Sequence, residues 1–198
     1  MEFTIHTLKT ASEDSKQALV HAQQTFSFIP NLEGVLAEAP ALLKASVTLW
    51  DLFETTSFTA VEQQVIYLTA NYENGCDYCM AAHSGLAKMM GISKENLEAL
   101  RNGTPMPDIK LQALRRFTQQ MVQARGWVED SEIDAFMRAG YTKQQVLEVI
   151  LGIAIKVMHN YTNHIAKTPL DKQFQPNFWS KPNTQKLGFG EFSYDFRA

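Results

Sequence analysis

Cysteine is scarce in this chain, two in 198 residues, and so are the usual turn formers, with 10 glycines and 7 prolines. So few turn residues disfavour a fold built from many short strands. No sign of charge dominates either. The 18 Lys+Arg stand against 21 Asp+Glu, a net charge of −3, which argues against a nucleic-acid binder with its basic stripe or high pI. No run of 18 apolar residues occurs, so no membrane-spanning helix is expected. The opening Met1-Glu2-Phe3-Thr4 carries no basic-then-apolar leader, so export is not expected and the cytoplasm is the expected compartment. What is present is ordinary for a globular protein: 45% hydrophobic and 20% charged residues, enough chain to bury the core of one domain, or at most two small ones.

Helical periods run through most of the sequence, and no alternating strand pattern competes with them. Helices are expected over about 12–26, 32–38, 40–54, from 59 onward, 76–90, 93–101, 108–124, 130–138 and 142–167. Pro40 suits a first-turn position, where its missing N–H costs nothing. Thr59 with Glu62, and Thr142 with Gln145, have the spacing of capping boxes. Val61, Val65, Leu68 and Tyr72 form one stripe; Leu147, Ile150, Leu151, Ala154, Ile155 and Met158 form another. The fold class expected is all-α, with one domain over residues 1–175. Residues 176–198 differ, with Phe178, Trp179, Phe189, Phe192, Tyr194 and Phe196 among polar residues and no helical period. They are expected to form an arm laid over this domain or over a neighbouring subunit.

The chemistry concentrates in Gly75-Cys76-Asp77-Tyr78-Cys79-Met80-Ala81-Ala82-His83. Two cysteines three apart cannot staple distant segments, and in a reducing compartment such a pair is redox-active or metal-binding. On a helix, positions i, i+3 and i+7 share a face, so both sulfurs and the imidazole would line up. A thiol at a helix N-terminus meets unpaired N–H groups and the positive dipole end, which can lower its pKa from about 8.5 to roughly 3.5–7.5; by that argument Cys76 is the more acidic. His83 could take or return a proton. Two bland readings stay open, plain packing and a zinc site completed by His159, His164 or a carboxylate. Haem attachment is excluded, since Met80 stands where a histidine would be needed, and thioredoxin lacks its βαβ context.

The helix–Gly–Cys-x-x-Cys-x-x-x-His arrangement resembles the carboxymuconolactone decarboxylase superfamily, specifically its alkylhydroperoxidase-D-like members. The likeness is densest from Phe58 to Ala87, within a core region of about 40–125. Asn160-Tyr161-Thr162-Asn163-His164 with Thr168-Pro169-Leu170-Asp171 resembles the longer, peroxidase-related subgroup. The resemblance implies a helical bundle and a cofactor-free, metal-free hydroperoxide reductase that cycles through a Cys76–Cys79 disulfide. It implies that Cys79 is the peroxidatic thiol, that Cys76 is the resolving thiol nearer solvent, and that His83 relays protons. An external dithiol, thioredoxin-like or lipoyl reductant is implied, as is a homo-oligomer, trimeric or hexameric. One departure stands out. The family commonly has a Glu twelve residues before the first Cys, and Gln64 occupies that place; an amide can orient the imidazole but cannot take its proton. Glu62 falls on another face of the helix. Glu73, Tyr78 and His164 are further supporting candidates, whereas His6 and His21 carry no pattern. A lactone decarboxylase of the same superfamily, and a non-enzymatic redox- or zinc-responsive protein, are the alternatives.

Overall fold

A computed structural model describes residues 2–182. It is all-α among these residues: α1 (Glu13–Phe26), α2 (Asn31–Leu36), α3 (Pro40–Glu54), α4 (Ala60–Asn74), α5 (Asp77–Met89), α6 (Lys94–Asn102), α7 (Ile109–Gln123), α8 (Asp130–Arg138) and α9 (Lys143–Ala166), then a 3₁₀ turn at Gln175–Asn177. No helix among them is long and apolar enough to cross a membrane. Both capping boxes form: the Thr59 and Thr142 hydroxyls accept from the backbone N–H of Glu62 and Gln145, whose side chains reach back to the caps. Each box satisfies backbone donors that a helix start would otherwise strand.

The middle of the molecule is α4. Every residue from Glu62 to Tyr72 is buried, because α5, α7 and α9 pack around it. Val65, Ile66 and Leu68 are fully enclosed, each contributing about 1.5–3 kcal/mol of hydrophobic stabilisation. One core cluster joins α4 with Leu114 and Phe117 of α7, Phe136 of α8 and Ile155 of α9. A second groups Leu19, Leu36 and Leu43 of the first three helices with Cys76, Tyr78 and Cys79. The cysteine motif therefore lies where the N-terminal helices close onto the body of the fold.

On α9 the apolar stripe read from the sequence does not simply face the core. Ile155 is buried, but Leu147 and Ile150 are 66% and 49% exposed, as are Tyr161 and Ile165 at 54% and 68%. The side turned inward carries Lys156, His159, Asn160 and Asn163, all buried. Of the C-terminal arm, the described part packs on this same chain. Trp179 is buried beside Tyr72, and its indole N–H donates to the Arg101 carbonyl at 2.7 Å. Phe189, Phe192, Tyr194 and Phe196 lie outside the described residues.

The approach of α9 to α3 and α4 depends on Gly152. A Cβ there would sit 2.8 Å from both the Ile66 methyl and the Phe53 ring. Alanine would gain about 1 kcal/mol of helix propensity, whereas overpacking a full core costs about 1–3 kcal/mol. Gly152→Ala is therefore expected to lower the melting temperature despite the better helix former, as thermal unfolding would show.

Candidate functional site

Gly75 ends α4 in the left-handed conformation, φ 67°, which glycine adopts without steric penalty. The turn lets Cys76 N–H bond back to the Asn71 carbonyl at 3.0 Å and become the N-cap of α5. Cys79 follows in the first turn. Both cysteines are free thiols, and both are buried, 0% and 2% exposed. The expectation that Cys76 lies nearer solvent is not met. The N-terminal helices cover it on one side, and Asn163 of α9 covers it on the other.

Three residues of α9 act on this pair. The Asn163 side-chain amide donates to both sulfurs, at 3.3 Å to Cys79 and 3.8 Å to Cys76. Asn160 donates to the Asn71 carboxamide at 2.9 Å and accepts from Asn74 at 2.8 Å, which ties α9 to the turn before the motif. The fully buried Lys156 brings a positive charge. Burial alone would raise the Cys79 pKa. The hydrogen bond from the Cys76 thiol, the Lys156 ammonium and the two asparagines outweigh it and bring Cys79 down to about 7. Cys76 moves the other way, pushed well up by its bond to Cys79 and by burial. The dipole argument alone favours Cys76, but Cys79 lies in the same first turn, and the hydrogen bond it receives from Cys76, with the Lys156 charge and the asparagines of α9, reverses the order.

His83 is buried against Tyr67 at 4.8 Å, and Tyr67 stacks on Trp50 at 5.4 Å. Its Nδ1 is 2.9 Å from the Gln64 Oε1, and its Nε2 is 2.7 Å from Lys156 Nζ. A carbonyl oxygen can only accept and an ammonium can only donate, so this geometry assigns the neutral tautomer with its proton on Nδ1. Burial first, then the neighbouring Lys156 and His159 charges, hold His83 well below the usual imidazole range. Gln64 thus fixes the ring, and the lone pair on Nε2 receives a bond from Lys156. Lys156 Nζ also lies 4.9 Å over the Tyr67 ring.

The other candidates are scattered. Tyr78 is buried and donates to Asp171 at 2.5 Å; Asp171 also accepts from the Asn31 N–H, so this bond docks α2 against α5. Glu73 accepts from Gln119 and Gln123 of α7 and stays outside the site. Glu62 is occupied by its capping box and by Lys110 at 3.1 Å. His164 is exposed on α9, while His159, one turn earlier, is buried and paired with the Ser46 hydroxyl at 2.5 Å. Lys156 goes unmarked in a reading for motifs. Its cue is its spacing, four and seven residues before Asn160 and Asn163, on one helix face. Among the described residues, no three His, Cys, Asp or Glu side chains converge to hold a metal ion.

A cavity of about 30 Å³ opens beside Cys79, lined by Glu33, Trp50, His83, Lys156, His159 and Phe174 among others. Aromatic and aliphatic walls from Phe26, Trp50, Leu86 and Phe174 alternate with the titratable side chains, so a substrate reaching the sulfur would leave water behind and meet a few fixed polar groups.

The carboxymuconolactone decarboxylase family model matches residues 40–130. None of the curated proteins matches the chain. Several solved structures share its fold. An uncharacterized peroxidase-related protein from Ralstonia eutropha JMP134, described as having an alkylhydroperoxidase AhpD core, is 18% identical, with a TM-score of 0.78 over 87% of this chain and 93% of that one. A peroxidase-related protein from Silicibacter sp. TM1040 is 16% identical, with a TM-score of 0.73 over 90% and 97%. A cysteine-to-alanine variant of the debrominase Bmp8, in complex with 2,3,4-tribromopyrrole, is 16% identical, with a TM-score of 0.71 over 88% and 97%.

Replacing the buried ammonium by an uncharged chain of similar length tests what lowers Cys79. In Lys156→Met, the pH midpoint of thiolate absorbance should move from about 7 towards the free-thiol value of about 8.5. A midpoint that does not move would remove Lys156 from the account. Removing one partner of a buried pair, and the donor to His83 Nε2, should also lower the melting temperature.

Proposed function

We propose, for a chain whose residues 40–130 match the carboxymuconolactone decarboxylase family model, a thiol-dependent reduction of hydroperoxides cycling through a Cys76–Cys79 disulfide. The observation that carries this reading is the Asn163 amide shared between the two sulfurs beside the buried Lys156 charge. A pair so held can keep one thiolate at neutral pH and has its second thiol within reach. The Cys79 thiolate attacks the outer oxygen of the peroxide; the O–O bond breaks, an alcohol leaves after protonation, and Cys79 becomes a sulfenic acid. The Cys76 thiol then attacks that sulfur, its proton leaves with the hydroxyl as water, and the disulfide forms. An external dithiol gives two electrons and two protons to restore the pair, which a reducing compartment such as the cytoplasm would supply.

In this reading His83 positions and does not abstract. Its Nε2 holds Lys156, and Lys156 stabilises the thiolate. With Gln64 at the far nitrogen, the imidazole has no acid behind it to share its proton. Thiolate formation is set by the fixed charge rather than by proton transfer at the moment of attack.

A second reading is reductive dehalogenation of an aromatic ring, favoured by the aromatic walls about Cys79 and by the likeness to a debrominase seen with 2,3,4-tribromopyrrole. Reduced protein mixed with one equivalent of an organic hydroperoxide separates the two. The peroxidase reading expects both free thiols to disappear and to return on adding a dithiol, and the single Cys76 thiol to persist in Cys79→Ser. Thiols that survive hydroperoxide but are consumed by a halogenated pyrrole with release of halide would replace it by the second reading.

Homo-oligomerisation belongs to the same proposal. Leu147, Ile150, Tyr161 and Ile165 lie on the outer side of α9, all about half exposed or more, an apolar stripe of the kind that marks an interface. The double change Ile150→Glu with Ile165→Glu should reduce the mass measured by light scattering to that of a smaller species. An unchanged mass would place the contact elsewhere.

A further inference from the structure

The peroxide cycle needs an acid, because an alkoxide is a poor leaving group unless protonated as it departs. Gln64 cannot supply that proton and His83 has none to spare towards the cavity, since its one N–H points to Gln64. Of the other titratable groups lining that cavity, Lys156 is bonded to His83, His159 to Ser46 and Tyr78 to Asp171, which leaves Glu33 as the one with an unpartnered oxygen among the described residues. Glu33 of α2 lines the cavity that reaches Cys79 and also the adjoining one lined by His21, Trp50 and His159. It is 8% exposed, and its Oε2 is buried without a hydrogen-bond partner among the described residues. An unpartnered buried carboxyl oxygen is costly to keep. Its helix is nevertheless held in place by Asp171, which accepts from the Asn31 N–H and from Tyr78.

We infer that Glu33 is the proton donor of the site, facing Cys79 across the substrate cavity and protonating the leaving oxygen. The role rests on the peroxidase reading above. In the first step the Cys79 thiolate takes the outer oxygen, and the O–O electron pair leaves on the alkoxide. The Glu33 carboxylic acid gives its proton to that alkoxide, yielding the alcohol, Cys79 sulfenic acid and Glu33 carboxylate. When the external dithiol later reduces the disulfide, one of the two protons it releases returns to Glu33 and the other to Cys76.

The surroundings suit a neutral acid. Burial pushes the Glu33 carboxyl up from 4.5 to about 8; a hydrogen bond to its own backbone and the Lys156 charge oppose the rise, and Cys79 and Asp171 add to it. The groups that face it are Lys156 and His159 from α9, Cys79, Tyr78 and His83 from α5, Asp171 after α9, and His21 from α1; α3 contributes Ser46, Val47 and Trp50. The reactive form carries the Cys79 thiolate and the Glu33 acid together. Alkyl hydroperoxide turnover should therefore rise with pH through about 7 and fall through about 8.

Two oxidants differing only in their need for a proton test the assignment. tert-Butyl hydroperoxide must release an alkoxide, whereas peracetic acid releases acetate, which departs as the anion. The full-length reduced protein is mixed with each, and thiol loss is followed in a single turnover. Glu33→Gln should slow the alkyl hydroperoxide about 10²-fold or more, the usual worth of a general acid, leave the peracid nearly unchanged, and lose the descending limb of the pH profile. Glu33→Asp should recover part of the loss. Equal slowing with both oxidants, or none with either, overturns the role of Glu33 and leaves the peroxidase reading standing. The peracid rate in the same variant shows that the thiol pair is still correctly folded. Parent protein whose thiols survive both oxidants overturns the peroxidase reading, and Glu33 with it.

Discussion

A lysine ammonium with 0% exposure in the centre of a helical protein is the constraint around which the site is arranged. Removing an ammonium from water costs several kcal/mol even after relaxation, and burial does hold Lys156 below its ordinary pKa. The foremost opposing influence, and the one that is an anion in the reduced protein, is the Cys79 thiolate. Among the described residues no carboxylate bonds Lys156 directly; its short contact is to the neutral His83 ring, with Tyr67 beneath it. An imidazole accepts a hydrogen bond without cancelling the charge. A carboxylate in the same place would neutralise it and leave little field for the thiol.

The helix ends were legible because their causes are local. A threonine with a glutamate or glutamine three residues on, or a glycine after the last turn, specifies a boundary through bonds made within four residues. Thr59, Thr142 and Gly75 each did so. The core of the site was legible for the same reason, since Cys76, Cys79 and His83 share one short segment. Gln64 could be found only through the family resemblance, and the structure puts its amide on the His83 ring.

What could not be read is what one helix does to another. On α9, apolar periodicity selects Leu147 and Ile150, and these turn outward; the inward face carries Lys156, His159, Asn160 and Asn163. Periodicity finds a stripe, but which stripe is buried depends on what meets it. Here α9 meets polar groups, the Asn71 amide, the His83 ring and two thiols, so its polar residues are the ones enclosed. Glu33 escapes for a related reason. In a six-residue helix it looks like a surface glutamate, and its burial follows from contacts with α9 and α3, more than a hundred residues apart in the first case. The dipole argument at Cys76 yielded to the hydrogen bond between the two thiols and, after it, to the Lys156 charge that only tertiary packing brings to Cys79.

The charge count through the cycle connects these pieces. In the reduced protein the enclosed cluster holds one cation, Lys156, and one anion, the Cys79 thiolate. Oxidation of Cys79 removes that anion and would leave an uncompensated ammonium in the interior, a state that costs roughly 3–5 kcal/mol when a buried pair is broken. If Glu33 gives up its proton in the same step, a carboxylate takes over as the anion facing Lys156, and the cluster is neutral before and after. A glutamate at position 64, bonded to the far side of His83, would sit one ring further from Lys156 and could not compensate it as directly. Placing the acid on α2, across the cavity, lets the proton and the charge move together, which ties the absence of an acid at position 64 to the presence of one at position 33.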